Sequence, residues 1–237
     1  SHLLANAPGH FGEYYAMSAQ SFTGADAVLL GFADVVVTEE FAENILDELE
    51  EFAGLNAGEI AAAIEVMHGA PESFALEMDR GWIDHAFSAG SPQEVIERLG
   101  QMVHPAAQRA AQLLAANCPT SMASAFYNVR AARAEQDLRS ALDRELRSAR
   151  YLMHRPDLAE GIRAQVIDKD RNPTWIPASL DEVDHAAPGF GVGVVPDAHV
   201  VGADASLGGD GRGLGHDQAG AAHGEGAEVH EVPVARH

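Results

Sequence analysis

The chain has 237 residues and a mass of 25.1 kDa, enough to enclose a core, and 46% hydrophobic with 22% charged residues is an ordinary globular composition, so patterning must set the fold. Fifteen Lys and Arg against 36 Asp and Glu give a net charge of -21, a field that repels polyanions and argues against nucleic acid as a partner. No uninterrupted apolar run of about 18 residues occurs, no basic flank precedes an apolar block, and Cys118 is the only cysteine, which argues against a membrane span, a signal peptide, an intrachain disulfide and a multi-cysteine zinc site. The expectation is a soluble, cytoplasmic chain. Its first residue is Ser1 rather than methionine, which leaves a longer parent open.

Residues 1–37 read as helix, helix and short strand. One helix starts near Gly12, a second opens at Thr23 and stops at Gly31, and Val35-Val36-Val37 is a β-branched run. Thr38 reads as an N-cap with Glu39 and Glu40 at the positive helix end. Phe41, Ile45, Leu46, Leu49 and Phe52 recur at three- and four-residue spacing and predict one acidic amphipathic helix with a buried stripe, ended by Gly54.

Short helices follow from Ile60 to Met67 and from Gly81 to Phe87, then one capped by Ser91 with Pro92 and Glu94, then one from Pro105. The strongest helical pattern lies in residues 119–171. Pro119 opens a helix through Arg133; Leu138, Leu142, Leu146, Leu152 and Met153 set the stripe of a longer one; Pro156 begins a last one with Leu158, Ile162, Val166 and Ile167.

Positive charge is unevenly spread. Residues 1–79 contain no Lys or Arg, whereas residues 130–171 hold ten of the fifteen, so an anionic small ligand would be met by the later segment. The plainer expectation is that these cations pair with Glu135, Asp137, Asp143 and Glu145 along solvated helix faces.

Residues 185–237 hold 12 of the 23 glycines and no sustained apolar period, which predicts a low-complexity, disordered tail. His216, His223, His230 and His237 fall seven apart, but Gly215, Gly220, Gly224, Gly226 and Pro233 oppose the helix that would gather them on a metal. Gly189, Gly191 and Gly193 follow no strand-to-helix unit and are weak evidence of nucleotide binding. A tail of this composition is also what a GC-rich gene yields when read out of frame.

An independent reactive centre is not evident. Glu13 and Asp26 fall at helix starts, where an acid suits the dipole; Cys118 has no identifiable base beside it; His68, His85, His104 and His154 lack metal-ligand spacing.

Two blocks are more specific. Residues 23–37, from Thr23 through Gly31 to Val37, resemble a crotonase (enoyl-CoA hydratase/isomerase) superfamily segment in which a short helix ends at glycine and feeds a small strand. Residues 157–175, with Asp168-Lys169-Asp170-Arg171-Asn172-Pro173-Thr174-Trp175 at their end, resemble the C-terminal signature of the 3-hydroxyisobutyryl-CoA hydrolase branch of that superfamily. Phe87-Ser88, Cys118-Pro119-Thr120-Ser121 and Leu142-Asp143-Arg144-Glu145 fall between them in the same order. The resemblance covers residues 1–184.

It implies an α/β crotonase-like (ClpP/crotonase) fold in the full family, with residues 1–37 the end of its core, residues 38–184 its helical C-terminal region, and residues 185–237 the odd tail. It implies thioester hydrolysis in valine catabolism, on an acyl-CoA substrate and without a separate cofactor. The family's oxyanion loop and catalytic carboxylates precede the position that Ser1 matches, so no catalytic residue is expected in this chain, which should be inactive alone. Lys169 matches a lysine that opposes CoA phosphate. Trp175 matches an aromatic that covers the acyl or pantetheine arm, although it equally reads as packing the last loop onto the helices. Arg163 and Arg171 are expected to pair with Glu160, Asp168 or Asp170. Two alternatives stay open: an enoyl-CoA hydratase/isomerase, and a non-catalytic helical module with apolar faces prone to self-association.

Overall fold

Small polar caps and prolines decide where the helices begin. Thr23 Oγ1 accepts from the Asp26 amide while the Asp26 carboxylate accepts from the Thr23 amide, closing a capping box. Thr38, Ser91 and Asp137 accept from the amides of Phe41, Glu94 and Ser140 in the same way. Pro92, Pro105, Pro119 and Pro156 occupy first turns, where a missing N–H leaves no helical bond unmade.

The computed structural model describes residues 1–50, 52–68, 75–187 and 190. Their helices are α1 (His2–Ala5), α2 (Phe11–Ser18), α3 (Gly24–Leu29), α4 (Glu39–Glu43), α5 (Ile45–Glu50), α6 (Ala57–His68), α7 (Ala75–Phe87), α8 (Pro92–Gln101), α9 (Pro105–Ala116), α10 (Pro119–Glu135), α11 (Leu138–Met153) and α12 (Pro156–Ile162). A π-helical turn, Arg163–Ile167, extends α12, and Leu180–Glu182 form a 3-10 turn.

Helix α10 is the spine, packed by α1, α2, α8 and α11. Phe126 on its inner face is fully buried in one cluster with Phe11, Ile83, Phe87, Leu99 and Leu114. Gly12 makes the α1–α2 approach possible, because a Cβ there would lie 2.0 Å from the Leu4 carbonyl oxygen.

Four sequence expectations need correction. Val35–Val37 form no strand: among the described residues there is no partner strand, and the Val36 side chain instead lies 3.6 Å from where a Cβ on Gly24, at the start of α3, would sit. The acidic helix is broken at Asn44, whose side-chain amide donates to the Glu40 carbonyl at 2.9 Å and ends α4. Phe41 is buried as expected, and Gly54 takes a left-handed φ of 97° in the turn after α5.

The leucine stripe of α11 faces away from the body. Ala141, Arg144 and Ser148 are the buried positions, while Leu138, Leu142, Leu146 and Met153 are exposed, as are Leu158, Ile162, Val166 and Ile167 further on. The small Ala141 and Ser148 on the inner face let α11 lie close against α10, with Arg144 buried between them.

The arginines also do more than decorate solvated faces. Of the four acids expected to take them, only Glu135 pairs with one among the described residues, and its partner Arg144 is 2% exposed. Asp137 caps α11 instead, and Glu145 accepts from Ser1.

Packing continues beyond Asp184. Ala187 and Phe190 are buried, the latter with its ring edge-on to Tyr127 and Tyr151. Pro188, Gly189 and residues 191–237, which include Gly191, Gly193, His216, His223, His230 and His237, lie outside the described residues.

Candidate functional site

The first turn of α12 anchors the chain that returns after it. Asp157 Oδ1 accepts from the Ile176 amide at 2.7 Å, Arg155 donates to the Ile176 carbonyl at 2.6 Å, and Glu160 Oε1 accepts from the Thr174 amide at 2.7 Å. These three contacts hold residues 174–176 alongside the helix and set the position of Trp175.

Trp175 is half-buried. Its Nε1 donates to the Ala116 carbonyl at the end of α9 at 3.0 Å, and its ring rests on Gly161, where an added Cβ would meet Cη2 at 3.4 Å. The other boundary of the ring is a cleft of about 470 Å³. Leu152 and Met153 of α11, Leu158, Ile162 and Val166 of the α12 segment, and Cys118 and Ser121 at the start of α10 line the rest. Trp175 therefore both packs the loop and walls the cleft.

Between α12 and Trp175 lies the loop Asp168–Asn172, organised by one side chain. Arg163 forms a two-pronged pair with Glu160 at 2.9 and 2.8 Å, and its Nη1 reaches Asp168 at 2.7 Å and Asp170 at 2.6 Å. Its Nη2 also donates to the Asn172 carbonyl at 3.1 Å. The expected Arg163 pairings thus all form. Arg171 forms none of them; its backbone amide donates to the Ala164 carbonyl at 3.0 Å.

Lys169 and Arg171 alternate with those aspartates. Both take left-handed φ values, 56° and 52°, a region non-glycine residues rarely enter. Both are exposed. Lys169 is the only lysine in the chain. It is not among the residues lining the cleft, but it lies two residues beyond the π-helical turn whose Gln165 and Val166 do line it.

Charge is strongly focused here. Hydrogen bonds from Arg163, then from the Thr174 amide, hold the Glu160 carboxyl down at about 2, and Arg163 also lowers Asp170. The Arg163 guanidinium is itself held above its ordinary range by Glu160, Asp170 and Asp168 in that order.

The other sequence candidates serve the scaffold. Glu13 lies in the first turn of α2, as the dipole reading expects, but it is 1% exposed and pairs with Arg133 at 3.0 Å, with Arg130 and His10 beside it. Asp26 also accepts from the Leu76 amide, tying α3 to α7. Cys118 is an N-cap without a side-chain capping bond. His68 stacks edge-on to Phe41, and His104 and His154 sit at helix ends. No group of three or more His, Cys, Asp or Glu among the described residues is arranged to hold a metal. No helix among them is long and apolar enough to cross a membrane.

An apolar cleft, with exposed cations two and four residues beyond the π-helical turn that helps line it, suits a ligand with a greasy arm and an anionic head. The family model for enoyl-CoA hydratase/isomerase matches residues 1–188. The chain belongs to the enoyl-CoA hydratase/isomerase family.

Members of that family are enzymes acting on CoA thioesters, and curated relatives point to one branch. The chain is 27% identical over 187 residues to "3-hydroxyisobutyryl-CoA hydrolase, mitochondrial" of Dictyostelium discoideum, covering 78% of this chain and 49% of the relative. It is 29% identical over 184 residues to the protein of the same name from Danio rerio, covering 76% and 48%. The chain spans about half the length of the curated relatives it matches.

Solved crotonase-fold enoyl-CoA hydratase/isomerase structures match as well. A carnitinyl-CoA dehydratase from Mycobacterium thermoresistibile superposes with a TM-score of 0.69 at 31% identity, over 82% of this chain and 55% of that one. An enoyl-CoA hydratase from Rhodobacter sphaeroides gives 0.66 at 30% identity, over 77% and 51%. The helical arrangement described above is thus the helical part of the crotonase fold.

Two anchors of the site escape sequence reasoning. Gly161 carries no signal that it seats an indole, and Asp157 reads only as a first-turn acid. The three-residue spacing of Glu160 and Arg163 was the available sign of the Arg163 clamp.

Proposed function

We propose that this chain supplies one wall of an acyl-CoA site in a thioester hydrolase of the 3-hydroxyisobutyryl-CoA type, acting in valine catabolism in the cytoplasm. The carrying observation is the succession of an apolar cleft walled by Trp175 and a loop in which Lys169 and Arg171 form no ion pair with any of the described residues. The cleft takes the pantetheine or acyl arm. Lys169 and Arg171 oppose the nucleotide phosphates, where a cation and an anionic oxygen form hydrogen bonds about twice as strong as neutral ones. No cofactor is needed beyond the CoA carried by the substrate.

The chemical step is assigned elsewhere. Thioester hydrolysis needs donors for the developing oxyanion and a carboxylate to manage the nucleophile, and oxyanion donors alone are worth about 100-fold or more in rate. None of the described residues around the cleft has that arrangement: Asp157 is the one carboxylate among its lining residues, and its partners are the Ile176 amide and Arg155 rather than Cys118 or Ser121. Alone, the chain binds acyl-CoA without turning it over.

Hydration is the second reading, favoured by the similarity to a carnitinyl-CoA dehydratase and an enoyl-CoA hydratase. Free-thiol release from 3-hydroxyisobutyryl-CoA reports hydrolysis, and loss of the conjugated absorbance of crotonyl-CoA reports hydration. The chain alone is expected to be silent in both. In a full-length relative, thiol release is expected, and replacing the lysine that matches Lys169 with alanine should raise KM while leaving kcat. Robust CoA release by the chain itself would overturn the assignment of the chemistry elsewhere, and hydration without hydrolysis in the relative would favour the second reading. Silence of every kind, with no affinity for CoA, would leave the chain a helical module that meets partners, or itself, through the exposed faces of α11 and α12.

A further inference from the structure

We propose that Arg163 is a positioning residue: it sequesters the two carboxylates interleaved with Lys169 and Arg171 and thereby keeps those cations available to an anionic ligand. This rests on the acyl-CoA reading above.

The sequence Asp168-Lys169-Asp170-Arg171 is neutral as a unit. In an unrestrained loop each aspartate has a cation as its immediate neighbour, and the four charges would satisfy one another. The fold prevents this. Asp168 and Asp170 both give an oxygen to Nη1 of Arg163, at 2.7 and 2.6 Å, and the second oxygen of Asp170 accepts from the Asn172 amide at 2.9 Å. Lys169 and Arg171 stay exposed, with no carboxylate of the described residues in ion-pair range.

Arg163 is uniquely fitted to this. A guanidinium has five N–H donors in a rigid fork. Nε goes to Glu160, Nη1 to Asp168 and Asp170, and Nη2 to Glu160 and the Asn172 carbonyl, so all five are used. None is left to meet a ligand, which is why Arg163 acts through its neighbours. Glu160 fixes the fork from the other side while also holding the Thr174 amide, so the loop and the Trp175 segment are pinned to the same helix turn. The π-helical turn contributes by closing the Asp168 amide onto the Arg163 carbonyl at 2.8 Å, bringing the start of the loop back over the guanidinium. A lysine at this position would keep the charge but offer only three donors without the fork.

Because Lys169 is the only lysine, its amine is a built-in probe. The full chain is treated with an amine-reactive acetylating ester, alone or with CoA or pantetheine, and Lys169 acetylation is followed by mass spectrometry of its peptide. Titration calorimetry gives the CoA affinity. For the unmodified sequence, CoA should slow acetylation and pantetheine, which lacks the nucleotide phosphates, should not. Arg163→Gln should abolish that protection and weaken CoA about tenfold, the scale of one lost charge-assisted contact. Adding Asp168→Asn and Asp170→Asn to Arg163→Gln should restore protection, because no carboxylate is left to neutralise the cations. A role as a mere strut predicts no such rescue.

The outcomes separate cleanly. If CoA fails to protect Lys169 in the unmodified chain, the acyl-CoA reading itself falls. If CoA protects there and equally well in Arg163→Gln, or if the triple variant stays unprotected while folded by circular dichroism, the positioning role of Arg163 is overturned. Should Arg163→Gln not fold, Arg163→Lys carries the same test: lost protection supports the role, and full protection overturns it.

Discussion

Glu13 and Arg133, 120 residues apart in the chain, meet at 3.0 Å with the carboxylate only 1% exposed. The pair joins α2 to α10, with Arg130 at 3.8 Å and His10 Nδ1 at 3.3 Å on the other carboxylate oxygen. Removing the cation leaves a buried charge with poorer compensation, so Arg133→Met should lower stability by about 3 kcal/mol. Urea melts followed by circular dichroism measure it. A loss confined to a few tenths would mean Arg130 alone suffices.

The two faces of α11 give a sharper contrast. Ala141 is fully buried and its neighbour Leu142 is 54% exposed. Leu142→Asp should shift the melting temperature little, since exposed substitutions fall within about 0.5 kcal/mol, whereas Ala141→Asp should unfold the helix from α10 by burying an unpaired charge. Thermal melts of the two variants decide it. The opposite ranking would place the leucine face inward, as the periodicity suggested.

That contrast also marks how far the chain could be read without coordinates. Caps at Thr23, Thr38 and Ser91 and the first-turn prolines announced helix starts, because they act within four residues. Periodicity at Leu138, Leu142 and Leu146 announced a helix but not which face meets a neighbour, since Ala141 and Ser148 pack closely while carrying little hydrophobic signal. Val35–Val37 had strand propensity but no pairing partner among the described residues. In the site, the motif from Asp168 to Trp175 was visible as a string and Arg163 as its counter-charge. The seat for Trp175 on Gly161 and the hold of Asp157 on Ile176 depend on the chain folding back, which no local pattern encodes.

Gly161 is the next test. A methyl group there would meet Trp175 Cη2 at 3.4 Å, tight enough to need a shift of a few tenths of an ångström, and a leucine cannot fit without moving the ring. Gly161→Leu should therefore release the indole from the Ala116 carbonyl and red-shift its emission in a Trp82→Phe background, while Gly161→Ala changes it slightly. Unchanged emission in Gly161→Leu would show that the ring does not rest on α12.

Acid should loosen the same loop in a defined window. The Glu160 carboxyl is lowered from 4.5 to about 2 by Arg163 and the Thr174 amide, so its contribution is fully present above 4.5 and disappears as pH falls towards 2. Trp175 emission in the Trp82→Phe chain should hold constant from pH 7 to about 4.5, the ordinary carboxylate value, and change only below it. Glu160→Gln should remove that acid transition and weaken the loop at neutral pH. A transition centred near neutrality would assign it to another group.

The central claim is that the Lys169 loop and the Trp175 cleft together receive CoA. Titration calorimetry of the full chain with CoA, at low and at high salt and with Lys169→Glu as the comparison, addresses it directly. Saturable binding that weakens with salt and is lost in Lys169→Glu is the expected result. Absence of binding at low salt, or binding indifferent to both salt and Lys169, would contradict it.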